Sequence, residues 1–255
     1  MSIDLRRVDS VTVMTIAAGK ANAFDHPLLD ALTRAIDAVL ADGARALVIT
    51  GEGASFSGGL ALPQLIELDR AGIRSLITAF STAMRRVLQA PIPVVAAING
   101  NAIAGGCVLA LMCDERILTR QSPRGAPLIG LNESQLGLGL PAIVVELVRA
   151  RVPPRSHVKL MLEGRLCGPE EALSLGLVDE LVAPADFEAR ALDRAIALGS
   201  ADRTAYAQIK RALLRPAIEA IEHDDANDTE AWLDTWFSAD GQRRLRGVVA
   251  RILKR

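Results

Sequence analysis

Glu133 stands in the stretch Ile129-Gly130-Leu131-Asn132-Glu133-Ser134-Gln135-Leu136-Gly137, which is mostly apolar and directly follows an expected strand. A carboxylate in apolar surroundings has its charged form disfavoured and its pKa raised, which suits a group that takes up and returns a proton. The same residues also fit a capping or ion-paired glutamate at the surface, and spacing alone leaves both open. Two glycine-rich turns offer a second device. One follows Thr50 and runs Gly51-Glu52-Gly53-Ala54-Ser55-Phe56-Ser57-Gly58-Gly59; the other follows Ile98 and runs from Asn99-Gly100 to Gly105-Gly106. A strand, a glycine turn and a helix start leave backbone N–H groups free at a positive dipole end, ready for a phosphate or a developing oxyanion.

Other chemistries lack their residues. Gly51-x-Gly53 follows a strand, but Phe56 stands where a dinucleotide fingerprint needs its third glycine. No G-x-S-x-G elbow is present, and His26, His157 and His223 sit in no triad-like context. Cys107, Cys113 and Cys167 have no metal-ligand spacing, and the first two, in an apolar run, read as small hydrophobes; a reducing compartment and no metal are expected.

The bulk properties narrow the partners. With 29 basic and 30 acidic side chains the net charge is −1, so neither nucleic acid nor an anionic membrane surface is expected as a partner. Aromatics make up 3%, too few for base-stacking platforms. The apolar run within Pro91 to Glu115 is nearly long enough for a membrane span, but prolines, asparagines and glycines interrupt it, so no span is expected. The N-terminus, MSIDLRRVDS, has no apolar signal core, and a cytoplasmic location is the expectation. The basic end, RRLRGVVARILKR, reads as a solvated or subunit-facing helix, and Trp232, Trp236 and Phe237 as packing residues at a helix or subunit contact.

The elements that must position these groups alternate between strands and helices. Residues 3 to 16 read as two strands around Asp9-Ser10, and Asp25 caps a helix carrying Leu28, Leu32, Ile36, Val39 and Leu40 at helical spacing. Ala46 to Thr50 and Ile92 to Ile98 are short continuous apolar runs, the pattern of parallel strands buried on both faces. Ile73 to Leu88 is a helix between them, Cys107 to Cys113 a short helix after them, and Arg116 to Thr119 a further strand. If the first two runs are neighbours, their glycine turns open at the same carboxyl edge and can aim N–H groups at one point. Past Pro141 the spacing predicts helices over roughly 141–150, 155–163, 185–199, 203–214 and 217–236, another after Gly241, and one strand from Leu177 to Val182. The fold class is α/β with a largely parallel sheet.

Five motifs in order resemble the crotonase, or enoyl-CoA hydratase/isomerase, superfamily. Gly19-Lys20-Ala21-Asn22-Ala23 resembles its K-x-N-A segment, Phe56-Ser57-Gly58-Gly59-Leu60 its F-S-A-G-x-D-L loop, and Asn99-Gly100 through Cys107 its N-G-x-x-x-G-G-G motif. Leu162-Glu163-Gly164-Arg165 and Ala172 to Val178 are similar to later T-G-R and E-A-x-x-x-G-L-V pieces. The resemblance implies a crotonase-like spiral of ββα units over residues 1–195 and a helical C-terminal trimerisation region over 196–255, giving a homotrimer or a dimer of trimers. It implies an acyl-CoA thioester as substrate and no separate cofactor, coenzyme A being part of the substrate. Leu60 and Gly105 would supply the two oxyanion N–H groups and Glu133 the proton carrier. Lys20, Ala21, Ala23, Gly58, Gly59, Ala61, Leu62 and Val108 take the substrate-binding positions, with Lys20 either beside the CoA phosphates or simply solvated.

Three positions depart from the family pattern. Ala61 replaces the usual aspartate, Ala104 replaces the first glycine of the triplet, and Val108 stands where hydratases carry their first catalytic glutamate, while Glu133 matches the second. One carboxylate suffices to shift a double bond but equips water addition poorly. The stretch IGLNESQLG and Leu60 also resemble mitochondrial-type 3,2-enoyl-CoA isomerases. The leading expectation is a delta(3)-delta(2)-enoyl-CoA isomerase in fatty acid metabolism. The alternatives are a hydratase or other crotonase-type reaction, with Glu52 the nearest second acid in sequence, and a non-catalytic acyl-CoA binding protein.

Overall fold

Two strands, β1 (Ser2–Val8) and β2 (Val11–Ala17), open the chain as an antiparallel pair turned at Asp9, whose φ is 51°. This computed structural model describes residues 2–254, the side chains of residues 2 and 224–226 excepted. Helix α1 (His26–Ala41) starts where Asp25 accepts a hydrogen bond from Leu28 N at 2.9 Å, and it buries Leu28, Leu32, Ile36 and Val39 as their spacing predicts.

From there the chain repeats a strand-strand-helix unit. The first comprises β3 (Ala46–Gly51), β4 (Ser55–Ser57) and helices α2 (Leu62–Leu65) and α3 (Arg70–Leu88). The second comprises β5 (Val94–Ile98), β6 (Asn101–Ile103) and α4 (Gly105–Met112). The third comprises β7 (Glu115–Thr119), β8 (Ile129–Gly130) and α5 (Ala142–Arg151). First strands join one sheet and second strands another. With β9 (Leu166–Cys167) and β10 (Glu180–Val182) the sheets are ordered β1-β2-β3-β5-β7-β10 and β4-β6-β8-β9. Each unit therefore steps from one sheet to the other, which is the ββα spiral of the crotonase fold.

Strand β5 shows why the apolar runs are continuous. Val94, Ala96 and Ile98 enter the large core beneath α1 and α3, while Val95 and Ala97 enter a second core. That second core is closed by Phe187, Ala191 and Ala195 of α7 (Phe187–Gly199), which follows the short α6 (Pro169–Ser174). Both faces are covered, so neither can be polar. Strands β3 and β5 are parallel neighbours, Thr50 opposite Ala97, which puts both glycine turns at one carboxyl edge.

Three expected elements are corrected. The segment 155–163 is a 3-10 turn at Pro154–Ser156 followed by a π-helical turn at Val158–Leu162. The strand expected from Leu177 shrinks to β10: Leu177 and Val178 are buried in the main core, and the Asp179 carboxylate binds Arg116 N at 2.8 Å and Arg116 Nη2 at 2.7 Å. The two helices split near Pro216 are one helix, α8 (Arg203–Phe237), with Pro216 inside it. Leu214, Ala217 and Ile221 are buried on both sides of the proline, and this packing outweighs the lost backbone bond, whose cost is about 3 kcal/mol. Lys210 also ties α8 to the sheet by donating to Asp114 Oδ2 at 2.6 Å. Helix α9 (Ala239–Leu253) ends the fold, its Ser238 cap accepting from Gly241 N at 3.0 Å. Among the described residues no helix is long and apolar enough to cross a membrane.

Candidate active site

Two asparagines shape the turns that reach the site. Asn22 is buried with a φ of 47°, a left-handed conformation that asparagine tolerates better than most residues. Its Oδ1 accepts from Ala18 N at 2.9 Å and its Nδ2 donates to Ser55 O at 2.8 Å. Ser57 Oγ donates to Asn22 O at 2.8 Å and accepts from Gly59 N at 3.2 Å, so the first glycine turn is clipped to the K-x-N-A segment. Asn99 joins the two turns: its Oδ1 accepts from Gly51 N at 3.0 Å and its Nδ2 donates to Gly53 O at 3.0 Å.

Leu60 lies opposite Phe24 in a short parallel bridge. Phe24 N donates to Gly59 O at 2.7 Å and Ala61 N donates to Phe24 O at 2.9 Å, so the N–H of Leu60, between those bonds, points away from Phe24. Gly105 is the first residue of α4, and its N–H has no partner within the helix. The turns touch, since a β-carbon on Gly59 would lie 3.1 Å from Gly105 N. Beneath them Phe24 and Phe80 stack edge to face with centroids 5.9 Å apart, and a β-carbon on Gly105 would meet Phe80 Cε2 at 3.2 Å. Ala104, just before α4, adopts φ 51° and ψ −119°, strained for a residue with a β-carbon.

Leu60 and Gly105 line a cavity of about 450 Å³ together with Gly58, Leu62, Val108 and Glu133. Glu133 sits on a turn ending in Gly137, with a 3-10 turn at Ser134–Leu136. Its carboxylate Oε2 is shut off from solvent and has no hydrogen-bond partner among the described residues. Burial pushes its pKa up to about 7. The same burial, with the Glu133 charge nearby, raises the pKa of the Cys107 thiol, which keeps it protonated and inert. Val108, one turn into α4, is 2% exposed and faces the cavity.

The remaining residues expected at the site divide. Ala21 is adjacent to it, its carbonyl accepting from Gly58 N at 2.7 Å, but it is exposed and outside the cavity lining. Lys20 is exposed and Ala23 half-buried, and neither lines the cavity. Gly59 and Ala61 are buried behind Leu60. Glu52 belongs to a separate cavity beneath α7, with Val48, Thr50 and Phe187, on the other face of the sheet. Several wall residues carry no motif that marks them in the sequence: Ile77 and Phe80 of α3, and Val248, Arg251 and Ile252 of α9. Trp232 and Trp236, expected only to pack between helices or subunits, also line the cavity, with rings 5.3 Å apart. Their four-residue spacing is the available signal, since it puts both on one helix face.

The sequence pattern of the enoyl-CoA hydratase/isomerase family matches residues 6–249. Human mitochondrial enoyl-CoA delta isomerase 1 is 32% identical over 209 residues, 81% of this chain and 68% of its own. A Thermus thermophilus protein, provisionally assigned as an enoyl-CoA hydratase, is 33% identical over 242 residues, 92% of this chain and 91% of its own. Among solved structures, the human mitochondrial delta3-delta2-enoyl-CoA isomerase superposes with a TM-score of 0.92 at 25% identity, covering 100% of this chain and 99% of that one. With its glycine turns, its cavity glutamate and its ββα spiral, this chain belongs to the enoyl-CoA hydratase/isomerase family.

Proposed function

We propose that the protein is a delta(3)-delta(2)-enoyl-CoA isomerase of fatty acid metabolism, with Glu133 as its base. One observation carries the reading: among the described residues lining the cavity, Glu133 is the one carboxylate, and Val108 in the same lining is apolar. The thioester oxygen accepts from the N–H groups of Leu60 and Gly105, which draws electrons toward the carbonyl. The Glu133 carboxylate takes a proton from the α-carbon, and the C–H electrons spread over a dienolate whose oxygen stays in that hole. The carboxylic acid then returns the proton to the γ-carbon, and the double bond ends conjugated with the thioester. One proton leaves and one returns, so neither water nor a cofactor is consumed. A pKa of about 7 suits both halves, because the group is neither too weak to accept nor too strong to release.

Water addition asks for a second group to hold and activate the water, and Val108 supplies none. Glu52, the nearest acid in sequence, lies in the cavity beneath α7 and cannot take that role from there. The buried, unpartnered Glu133 oxygen also argues against a purely binding role, since such an atom costs about 1–3 kcal/mol and is retained where it is used. Ile209 and Leu213 of α8 are 62% and 70% exposed, which supports assembly as a homotrimer or dimer of trimers through the C-terminal helices.

The test follows ultraviolet absorbance of the conjugated thioester with purified protein. Conjugation appearing from a 3-enoyl-CoA, and abolished by Glu133→Gln, bears out the isomerase. Decay of a 2-enoyl-CoA signal through water addition, without conjugation from the 3-enoyl ester, overturns it in favour of hydration.

A further inference from the structure

Helix α9 meets the active site twice along one face. Gly241, Arg244, Val248 and Ile252 follow one another at three- and four-residue spacing, so they share a stripe. At the far end Val248 and Ile252 are part of the cavity wall. At the near end the helix seats the turn that carries Glu133. Gly137 closes that turn with a φ of 74°, and a β-carbon there would lie 3.2 Å from Arg244 Cδ and 3.3 Å from Gly241 Cα. Arg244 Nη1 donates to Gln135 O at 3.3 Å, and Asp240 Oδ2 holds Arg244 Nε at 2.7 Å. On its other side the turn is tied by Gln135 Nε2, which donates to Glu163 O at 2.6 Å. Glu133 O accepts from Leu138 N at 2.9 Å, so its backbone moves with that turn.

We propose that Arg244 is a positioning residue, which fixes the Glu133 turn through the Gln135 carbonyl and couples it to the α9 face on which the acyl chain packs. The proposal rests on the reading of Glu133 as the base. A chain that fills the cavity against Val248 and Ile252 presses on the helix that sets the glutamate. Binding energy from the remote end of the substrate is thereby spent on orienting the reacting group. Short acyl chains do not reach that face and gain nothing from it.

The test reads the carboxylate directly as well as the rate. The Glu133 carboxyl is titrated by carbon-13 NMR, its signal identified by its loss in Glu133→Gln. In Arg244→Ala the loosened turn lets water reach the carboxylate, so its pKa falls by about half a unit or more. The kcat for a long 3-enoyl-CoA falls roughly 3- to 10-fold, and that for a short one changes less. Arg244→Lys, which keeps a donor and the pair with Asp240, restores most of both effects. Asp240→Asn frees the guanidinium without removing it and gives the same shift in smaller measure. An unmoved titration in Arg244→Ala overturns the proposal, whatever the rate does, because a merely structural loss leaves the carboxylate's surroundings alone. An equal rate loss for long and short chains overturns the coupling to the acyl chain. The NMR arm needs no turnover, so it stands even where Glu133→Gln shows that another group is the base.

Discussion

Gly59 and Gly105 pack backbone to backbone: a β-carbon on Gly59 would lie 2.8 Å from Ile103 O and 3.1 Å from Gly105 N. The two turns that supply the proposed oxyanion donors are thus held in register by this backbone contact as well as by the Asn99 side chain. Gly59 also has a φ of 85°, where a side chain is strained in any surroundings.

Gly59→Ala therefore pushes the turns apart and strains the loop together. The expected result is a kcat at least roughly 10-fold lower, the scale of a displaced oxyanion donor, with about 1–3 kcal/mol lost in stability. Steady-state kinetics and thermal melts check it. Unchanged kcat would show that the spacing of the two turns does not matter to the rate.

Ala104 presents the opposite case. Its φ of 51° and ψ of −119° suit glycine, the residue that this position carries in the family pattern. Ala104→Gly relieves strain of about 1–3 kcal/mol and adds back about 0.5–1 kcal/mol of unfolded-state entropy. A net gain of about 1 kcal/mol in denaturant unfolding is expected, with kcat retained. A loss of stability would mean that the Ala104 methyl contributes packing that outweighs its strain.

What was legible in the sequence follows from where the signal was written. Strands β3 and β5 are covered on both faces, so their residues could only be apolar, and their glycine turns could only fall at one edge. Glu133 showed itself as a charge among Ile129, Leu131 and Leu136. Glu52 misled because sequence nearness to a strand end does not say which face a side chain takes. Val48 and Thr50 line the cavity beneath α7 with it, whereas Leu47 and Ile49 belong to the main core. The spacing on α8 and α9 does not say what an apolar face meets, so Trp232 and Trp236 read as helix or subunit contacts and the stretch with Val248 as a solvated or subunit-facing helix, whereas all three line the cavity. Pro216 suggested a helix end because local preference is visible in sequence and the packing of Leu214 and Ile221 is not.

The raised pKa of Glu133 gives opposite expectations for rate and stability. With Glu133 as the proposed base, turnover needs the carboxylate, so kcat is expected to rise with pH through about 7 and then level. Between the ordinary carboxylate value of 4.5 and about 7 the native protein binds this proton more tightly than the unfolded chain. Its contribution to stability is therefore full below that window, falls as pH climbs through it, and is lost above. Glu133→Gln removes the slope: relative to the native sequence it gains on the order of 3 kcal/mol at pH 8 and nothing at pH 4. Paired denaturant titrations at the two pH values decide it, and equal differences at both would show a carboxylate that titrates normally.

In the proposed reading, Val108 is the residue on which the choice between isomerisation and hydration turns, and it can be changed. It is 2% exposed on α4 and faces the cavity that Glu133 also lines. Val108→Glu places a second carboxyl there, and two such groups at close quarters cannot both ionise easily, so one holds a proton near neutral pH while the other acts as base. That division of labour is what water addition requires. The variant is expected to lose several kcal/mol of stability from burying the polar group and to consume a 2-enoyl-CoA by hydration. Its isomerisation of a 3-enoyl-CoA slows, since the new acid perturbs the proton carrier. Melting curves first confirm a folded protein; then absorbance of the conjugated thioester reports the reaction. A folded variant that still adds no water would show that a second carboxyl is not the missing part, and that the cavity itself excludes the water.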